Sequence, residues 1–263
     1  MQESNNQYRR VGVVMLHGAC SMSCLFCITE NAVREMNKED VKEVLSIMKD
    51  REMESVVFGG GEPLQWGYDL SEVIHYAKSI GFYTQVGTNG VGLTQTVIDQ
   101  LDADRYVLPV DSIHPMIHNY LRSGFRNHYD IIQKRLRNLV EKSISFTIST
   151  VVCRVNAEEL NGMASYLFHL WEQGAKIHAW HLYRFLPFGR NGRKNIDMLN
   201  ISYKDYIEKT EHIKQRDLPF FVYRRPNMQL SKEVDFFWLE DGGLKIGSEV
   251  WVKQCFDEVI NDR

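Results

Sequence analysis

The sequence predicts an α/β fold in which a parallel sheet carries helices on its outside. Short apolar runs alternate six times with segments of helical periodicity before residue 187, an alternation that is typical of strand–helix repeats. Glycine, cysteine or polar residues follow five of the six apolar runs, at the strand ends where parallel α/β folds bind ligands. The repeats alone leave open whether the sheet is doubly wound or curved into a barrel.

The individual elements follow from the local pattern. Six strand-like runs occupy residues 11–16, 55–58, 82–86, 106–110, 145–152 and 176–185. After the first run, a helical face is formed by apolar residues behind the potential cap Asn37, namely Val41, Val44, Leu45 and Met48. The same spacing recurs at residues 70–80, 129–140 and 157–171. These helices are predicted to cover the outside of the sheet.

Composition limits the class of protein. The chain has 263 residues, of which 44% are hydrophobic and 25% are charged, as in one ordinary globular domain or barrel. No apolar run reaches the length of about 20 residues that a membrane helix needs. A net charge of −3 gives no overall field that attracts nucleic acid. The polar start of the chain and its few cysteines favour a reducing, cytoplasmic location over secretion.

Three of the five cysteines, Cys20, Cys24 and Cys27, lie within eight residues, whereas Cys153 and Cys255 are far away in sequence. In a reducing compartment such a group indicates metal or redox chemistry more than disulfide bonding. A structural zinc site needs four ligands, usually in two separated pairs, and no second pair is nearby. A cubane iron–sulfur cluster bound by three cysteines leaves one iron without a protein ligand, and that open iron is a potential reaction site.

Two motifs resemble a known family. Cys20, Cys24 and Cys27 have the spacing Cys-x3-Cys-x2-Cys, with the aromatic Phe26 just before the third cysteine, and Gly-Gly-Glu-Pro follows at residues 60–63. Both motifs resemble those of the radical S-adenosylmethionine (SAM) superfamily, and the resemblance covers about residues 11–186. It implies a single-cluster member whose α/β fold is a (β/α)6 partial TIM barrel.

The resemblance also implies cofactors and chemistry. The three cysteines are expected to bind a [4Fe-4S] cluster, and SAM is expected to chelate the open iron through its amino and carboxylate groups. One electron from a flavodoxin- or ferredoxin-type donor then cleaves SAM to methionine and a 5′-deoxyadenosyl radical, which takes hydrogen from a substrate. Neither a membrane nor bulk nucleic acid is an expected partner.

Several residues are expected to hold SAM. Gly60 and Gly61 allow close approach of the backbone, and Glu62 offers acceptors to an ammonium group, although the three residues also suit a turn with a capping acid. Phe26 either covers the adenine or packs in the barrel mouth. Four residues resemble family positions that hold the ribose or the methionine carboxylate, although each also suits a turn or a helix surface: Asn89, Ser112, Arg122 and Thr150. Asn156 caps the following helix, contacts the cofactor, or does both. Tyr183, at the end of the sixth strand, is a further cofactor candidate.

The chain is predicted to divide at two points. Residues 1–10 are a polar segment, residues 11–186 form the barrel, and residues 187–263 form an extension that shapes the substrate pocket. The extension begins with a basic loop at 188–195 and continues with a helix and a β-hairpin that turns at Asp241-Gly242-Gly243. Because Cys255 is its only cysteine, the extension is not expected to hold a second cluster.

The substrate class stays open between a small molecule, a nucleotide and a peptide. An anion pocket, as in viperin-type enzymes, is one interpretation of the basic residues on and after the sixth strand; solvated side chains are the other. These residues are His181, Arg184, Arg190 and Arg193. The segment after Cys27 differs from that of viperin-type enzymes.

Two further hypotheses stay open. Cys255 or Cys153 as a hydrogen donor fits a peptide-modifying enzyme, an epimerase or a crosslinking enzyme, whereas a lone cysteine is often only a buried apolar residue. A non-catalytic metal-binding module is the rival from a different class. The intact Gly-Gly-Glu-Pro motif argues against that rival, because a pure metal binder needs no site for an amino-acid chelate.

Overall fold

The structure, a computed structural model, describes residues 10–251. Most of the predicted N-terminal segment and Cys255 therefore lie outside the described residues. Within the described range, no helix is both long and apolar enough to cross a membrane.

Strands and helices alternate along the first six units, as predicted. The strands are Val11–Met15 (β1), Ser55–Gly59 (β2), Tyr83–Gly87 (β3), Arg105–Pro109 (β4), Phe146–Val152 (β5), Ile177–Arg184 (β6), Phe221–Arg225 (β7), Val234–Glu240 (β8) and Gly243–Ile246 (β9). The helices are Lys38–Asp50 (α1), Leu70–Ser79 (α2), Gln95–Leu101 (α3), Pro115–Leu121 (α4), His128–Glu141 (α5), Leu160–Glu172 (α6), Gly189–Gly192 (α7), Ile196–Leu199 (α8) and Tyr203–Lys214 (α9).

The described strands form one sheet in the order β7-β6-β5-β4-β3-β2-β1-β8-β9. Every neighbouring pair is parallel except β8 and β9, which form the antiparallel hairpin. The first six strands follow one another in space without reversal, which excludes the doubly wound alternative. Because β7 and β9 stay unpaired edges among the described strands, the barrel is partial. The predicted partial barrel with a C-terminal helix and hairpin is confirmed.

The C-terminal extension adds strands to both edges of the six-stranded sheet. β7 pairs with β6, placing Tyr223 opposite His181, and β8 pairs in parallel with β1, placing Val234 opposite Val11. The sequence pattern predicted the hairpin but not its parallel pairing with β1. The extension therefore continues the barrel wall on both sides.

Local chemistry explains where α1 begins and which face it buries. The Asn37 side chain accepts hydrogen bonds from the backbone N–H groups of Glu39 and Asp40, and the Asp40 carboxylate accepts one from the Asn37 N–H. This reciprocal capping satisfies donors that the first turn leaves unpaired. The predicted apolar face, which includes Val41 and Leu45, is fully buried. Such faces pack on the outer side of the sheet and form the main core.

Candidate active site

A cavity of about 830 Å³ fills the interior of the partial barrel. Its wall runs from side chains near the amino ends of the strands, such as Ser55 and Tyr83, to the carboxyl ends at Gly59 and Gly87. Interiors of closed eight-stranded barrels are normally filled by layers of bulky side chains. Here alternate strand residues leave an open chamber in the position where α/β barrels bind ligands.

The cysteine loop between β1 and α1 closes over the carboxyl end of this chamber. Cys20, Cys24 and Cys27 all line the cavity. The loop is fixed from the side of α4, because Ser23 N donates to Ser123 O at 2.7 Å and Leu25 N donates to Leu121 O at 3.0 Å. Two asparagines of the 188–195 segment also hold the loop in place. The Asn191 amide donates to Cys24 O and the Asn195 amide donates to Leu25 O, each at 2.9 Å.

Polar donors surround the thiols. Met22 N lies 3.4 Å and Asn89 Nδ2 lies 3.6 Å from Cys20 Sγ, and Arg122 Nη1 lies 4.0 Å from Cys24 Sγ. Burial raises the pKa of Cys20, and it raises the pKa of Cys24 to about 11. The amide donors and the Arg122 guanidinium act in the opposite direction, because they favour the thiolate. Such donors suit cysteines that are thiolates when they bind a metal.

The three thiols of the cysteine loop form one donor set, because all three line the same cavity. In the part of the chain that the structure describes, no group of three or more His, Cys, Asp or Glu side chains converges on one potential ion site. Each thiolate of a cubane binds a different iron. Three thiols that line one cavity are a donor set that fits a cubane cluster.

The glycine turn after β2 lies directly beneath the cysteine loop. Gly60 has φ +117°, and a Cβ on Gly61 would lie 1.8 Å from Ala19 O. Gly61 N donates to His17 O at 2.6 Å, and Glu62 N donates to Ala19 O at 2.9 Å. Only glycine permits this backbone-to-backbone approach. The glycines thus hold the start of the cysteine loop, and their own backbone lines the cavity.

Glu62 does not line the cavity and is 1% exposed. It accepts hydrogen bonds from Thr88 Oγ1 and Asn89 N, both at 2.6 Å, and from Leu64 N at 3.2 Å. Burial raises the pKa of Glu62, and these three donors oppose that effect. The carboxylate therefore caps its own turn, as one sequence interpretation held, and ties the end of β2 to the end of β3.

Arg122 is held by an acid that the sequence analysis missed. Its Nε donates to Asp111 Oδ2, and its guanidinium lies 5.0 Å from the centroid of the Phe26 ring. Asp111 is fully buried and also accepts a hydrogen bond from Val151 N at 2.7 Å. A carboxylate directly after β4 was the available sequence signal. The Arg122–Asp111 pair places a guanidinium group in the cavity wall beside Cys24.

Two buried histidines link the ends of β3 and β4. Asp111 N donates to His118 Nδ1 at 3.3 Å, His118 Nε2 lies 2.9 Å from His128 Nδ1, and His128 Nε2 lies 2.8 Å from Asn89 O. A backbone N–H can only donate and a carbonyl can only accept, so the chain requires two neutral imidazoles protonated at Nε2. Burial lowers the pKa of His118 to about 3 and that of His128 to about 4.

The structure places Thr150, a predicted cofactor residue, outside the cavity lining. Thr150 faces the helices, where its hydroxyl donates to Val110 O and accepts from Trp180 Nε1. Its neighbours Ser149 and Val151 face the cavity instead, because side chains alternate along a strand. The structure therefore does not bring Thr150 together with the cavity-lining candidates.

Ser112, Asn156 and Cys153 also lie outside the cavity lining. The Ser112 hydroxyl donates to the Glu159 carboxylate, and Asn156 Nδ2 donates to Asp111 O at 2.7 Å. Cys153 is fully buried, and its N–H donates to Asn156 Oδ1 at 2.9 Å. Through these contacts, all three residues hold together the segments that follow β4 and β5. A hydrogen donor at Cys153 is not supported, and the same expectation for Cys255 lies outside the described residues.

Three of the four predicted substrate residues line the cavity: His181, Arg184 and Arg190. His181 Nδ1 lies 3.0 Å from the Tyr183 hydroxyl, and burial lowers the pKa of His181 to about 3. Arg190 Nη2 donates to Gly18 O at 2.7 Å, which ties the extension to the cysteine loop. Arg193 lies outside the cavity, is exposed, and pairs with Glu30 at 3.0 Å. The structure therefore does not place Arg193 with the other three residues.

The sequence analysis also missed much of the inner wall. The polar and aromatic lining residues that it did not name include Ser55, Tyr83, Gln85, Arg105, Ser149, Tyr223 and Arg225. Alternation within each strand was the available signal, since these residues interrupt runs of apolar neighbours.

Comparison with known proteins identifies the family of the chain. A family profile described as Radical SAM superfamily matches residues 14–167, more than half of the chain. The chain belongs to the radical SAM superfamily. It is therefore a radical SAM enzyme, and the predicted cofactors of that superfamily, a [4Fe-4S] cluster and SAM, are confirmed.

Individual relatives differ in how much of their length corresponds to this radical SAM chain. The S-adenosylmethionine-dependent nucleotide dehydratase of Flammeovirga pacifica is 26% identical over 91% of this chain and 87% of its own length. The PqqA peptide cyclase of Xanthomonas axonopodis pv. citri is 27% identical over 55% of this chain and 40% of its own length. The structure of Streptococcus suis SuiB bound to precursor peptide SuiA has a TM-score of 0.65 and 18% identity, and the match covers 84% of this chain and 50% of that chain.

Proposed function

We propose that this radical SAM enzyme takes a hydrogen atom from a small anionic substrate of the nucleotide type, held inside the barrel. One observation carries the proposal: the inner wall of the cavity combines cationic and aromatic side chains where a filled barrel has branched aliphatic ones. Arginine pairs with phosphate oxygens and stacks on aromatic rings, and aromatic side chains stack on nucleobases.

Cys20, Cys24 and Cys27 would hold the cluster, whose open iron, when SAM is bound, supplies reductive cleavage to the 5′-deoxyadenosyl radical. A flavodoxin- or ferredoxin-type protein is the proposed electron donor. The chain's own residues bind and orient: the backbone of Gly60 and Gly61 offers carbonyl acceptors to an ammonium group, and Arg122 suits a carboxylate. Phe26 beside Arg122 offers a ring face, and the Asn89 side chain completes the proposed SAM contacts.

The inner wall supports a substrate with both an aromatic and an anionic part. Gln85 Nε2 donates to Ser55 Oγ at 2.8 Å. The amide oxygen of Gln85, beside this hydroxyl, is left to accept a hydrogen bond from a substrate. The Arg105 guanidinium lies 4.8 Å from the Tyr83 ring centroid, and Arg225 lies 5.0 Å from that of Tyr223. Side chains of this kind recognise a base by its edge and face, and a phosphate by its charge.

A peptide substrate is the second candidate, favoured by the name of the PqqA relative. The chain spans 40% of that relative and 87% of the nucleotide dehydratase. Cys153, one of two hydrogen donors considered for peptide chemistry, lies outside the cavity. The nucleotide proposal is therefore preferred.

The proposal is tested with anaerobically reconstituted, dithionite-reduced protein. We expect slow formation of 5′-deoxyadenosine from SAM alone and faster formation when a nucleotide substrate is present. A panel of nucleosides, nucleotides and peptides identifies the class. Stimulation by peptides alone would replace the nucleotide proposal with the peptide one, and the absence of any SAM cleavage would favour the non-catalytic module.

A separate prediction concerns the histidine link between Asp111 and Asn89. His128→Leu keeps most of the side-chain volume but leaves a buried acceptor on Asn89 and a buried donor on His118 without partners, each at a cost of about 1–3 kcal/mol. We expect the iron content to stay unchanged while the dissociation constant for SAM rises by about tenfold. Calorimetric titration with SAM and the EPR spectrum of the reduced cluster with SAM measure this effect.

His128→Gln is the matched control, because an amide can accept from His118 and donate to Asn89. It should restore SAM affinity and the wild-type spectrum. Equal losses of SAM affinity in His128→Leu and His128→Gln would show that the imidazole contributes only packing. Wild-type SAM affinity in His128→Leu would show that His128 does not position the SAM site.

A further inference from the structure

We infer that a second cavity beside the barrel binds the polyphosphate end of the substrate; the substrate class in this inference rests on the proposed function. The cavity has a volume of about 490 Å³ and lies among the end of β6, β7 and the segment 226–233 that connects β7 to β8. We call it the vestibule, defined by Arg184, Tyr203, Arg224, Arg225, Lys232 and Glu233.

The vestibule is strongly cationic. Four basic side chains line it, at Arg184, Arg224, Arg225 and Lys232, against one lining carboxylate, Glu233. Arg224 is neutralised by Glu211, which does not line the vestibule. The other three lining cations face a single carboxylate, which leaves an excess of positive charge. Like charges brought together in a concave site raise the local potential and favour an anion.

The vestibule adjoins the barrel cavity. Arg184, Arg225, Met228 and Glu233 line both of them. In the proposed complex, a ligand with its aromatic end in the chamber extends its anionic end past Arg184 and Arg225. A nucleoside with a chain of phosphates has this form, whereas a nucleoside alone would leave the vestibule empty.

Arg225 provides the most specific observation. Its Nε is buried, and among the residues that the structure describes this atom has no hydrogen-bond acceptor. Its Nη1 lies 3.4 Å from Glu233 Oε2, at the long end of hydrogen-bond range, and its guanidinium lies over the Tyr223 ring. A buried donor without an acceptor is costly unless a ligand supplies one. A phosphate oxygen is an acceptor of the required charge.

The test uses reconstituted holoenzyme and two probes, inorganic tripolyphosphate and a series running from a nucleoside to its triphosphate. Binding is measured by titration calorimetry at fixed salt concentration. We expect tripolyphosphate to bind and to compete with the nucleoside triphosphate. Affinity should rise with the number of phosphates, because each additional phosphate brings more charge into the vestibule.

Variants distinguish binding in the vestibule from an effect of the net charge of the protein. Arg225→Gln is expected to weaken tripolyphosphate binding by about tenfold, and Lys232→Ala by a smaller factor. Glu233→Gln is expected to strengthen it, because the variant removes the one carboxylate among the described lining residues. Lys209→Ala, which removes the same charge from α9 outside both cavities, should leave binding unchanged. If Arg225→Gln does not fold, as judged by iron content and thermal melting, Lys232→Ala and Glu233→Gln decide the test.

The failures of the two proposals are distinguishable. If nucleosides and nucleoside triphosphates bind equally and stimulate SAM cleavage equally, the vestibule inference is wrong while the nucleotide function stands. If tripolyphosphate binds and Glu233→Gln strengthens it, but no nucleotide stimulates SAM cleavage, the anion site stands and the proposed substrate is wrong. Equal weakening by Lys209→Ala and Lys232→Ala would overturn the vestibule, because the effect would then come from net charge alone.

Discussion

Replacing any one of Cys20, Cys24 or Cys27 with alanine is expected to abolish the cluster and all SAM cleavage. A cubane contains four irons, so reconstituted wild-type protein should contain about four irons per chain and should be brown. Each variant should lose the colour, because two thiolates leave two irons without protein ligands. Iron analysis, the visible spectrum and 5′-deoxyadenosine formation measure this result.

Cys153→Ala is the matched control, since this thiol is fully buried and lies outside the cavity. The control should keep its iron and its colour, with only the modest destabilisation that a small core truncation causes. Colourless wild-type protein that contains one zinc per chain would contradict the cluster assignment. Loss of the chromophore in the Cys153 control would also contradict it.

Glu62→Gln is expected to keep the cluster but lose most SAM binding. The carboxylate accepts from Thr88 Oγ1, Asn89 N and Leu64 N. An amide would direct its NH2 group at one of the two backbone N–H donors, neither of which can accept, and the cost of such a mismatch is about 1–3 kcal/mol. The Thr88–Asn89 turn would shift, and the proposed SAM contacts of Asn89 would shift with it.

We expect the dissociation constant for SAM to rise by at least about tenfold in this variant, while iron content and the visible spectrum stay unchanged. Gln65→Ala is a nearby control: its Oε1 accepts a hydrogen bond from Ser21 N at 3.0 Å, but the residue does not line the cavity. If Glu62→Gln binds SAM normally, Glu62 serves only as a turn cap. If its iron content falls to that of the cysteine variants, the residue supports the cysteine loop more than the SAM site.

The elements that could be predicted from the sequence are those encoded in short contiguous stretches. The spacing of Cys20, Cys24 and Cys27, the glycine turn at Gly60 and Gly61, and the alternation of strands with helices need no knowledge of distant contacts. Period-two alternation in β5 could also have placed Thr150 on the same face as Phe146 and Ile148, which are buried toward the helices. The family match made Thr150 a cofactor candidate despite that signal.

The buried polar network could not be predicted in the same way. Asp111 follows β4, whereas His118 lies on α4 and His128 begins α5, so their hydrogen bonds depend on how α4 and α5 pack beneath the end of the sheet. A histidine in a helical pattern gives no sign of whether its imidazole faces solvent or another imidazole. Likewise, the vestibule is formed by residues from β6, β7 and the connection to β8, which only the pairing of β7 with β6 and of β8 with β1 brings together.

The parallel pairing of β1 with β8 has a consequence for how the chain acquires its fold. β1 leads directly into the cysteine loop, yet one of its two neighbours, β8, is synthesised much later than β1, because Val11 pairs with Val234. Contacts between such distant parts of a chain form slowly, since a long loop must be closed first. On the ribosome, β1 therefore keeps one edge unpaired until late, and an exposed edge is open to pairing with other chains. We expect that refolding yield, more than the stability of the finished protein, depends on conditions that delay aggregation until β8 docks.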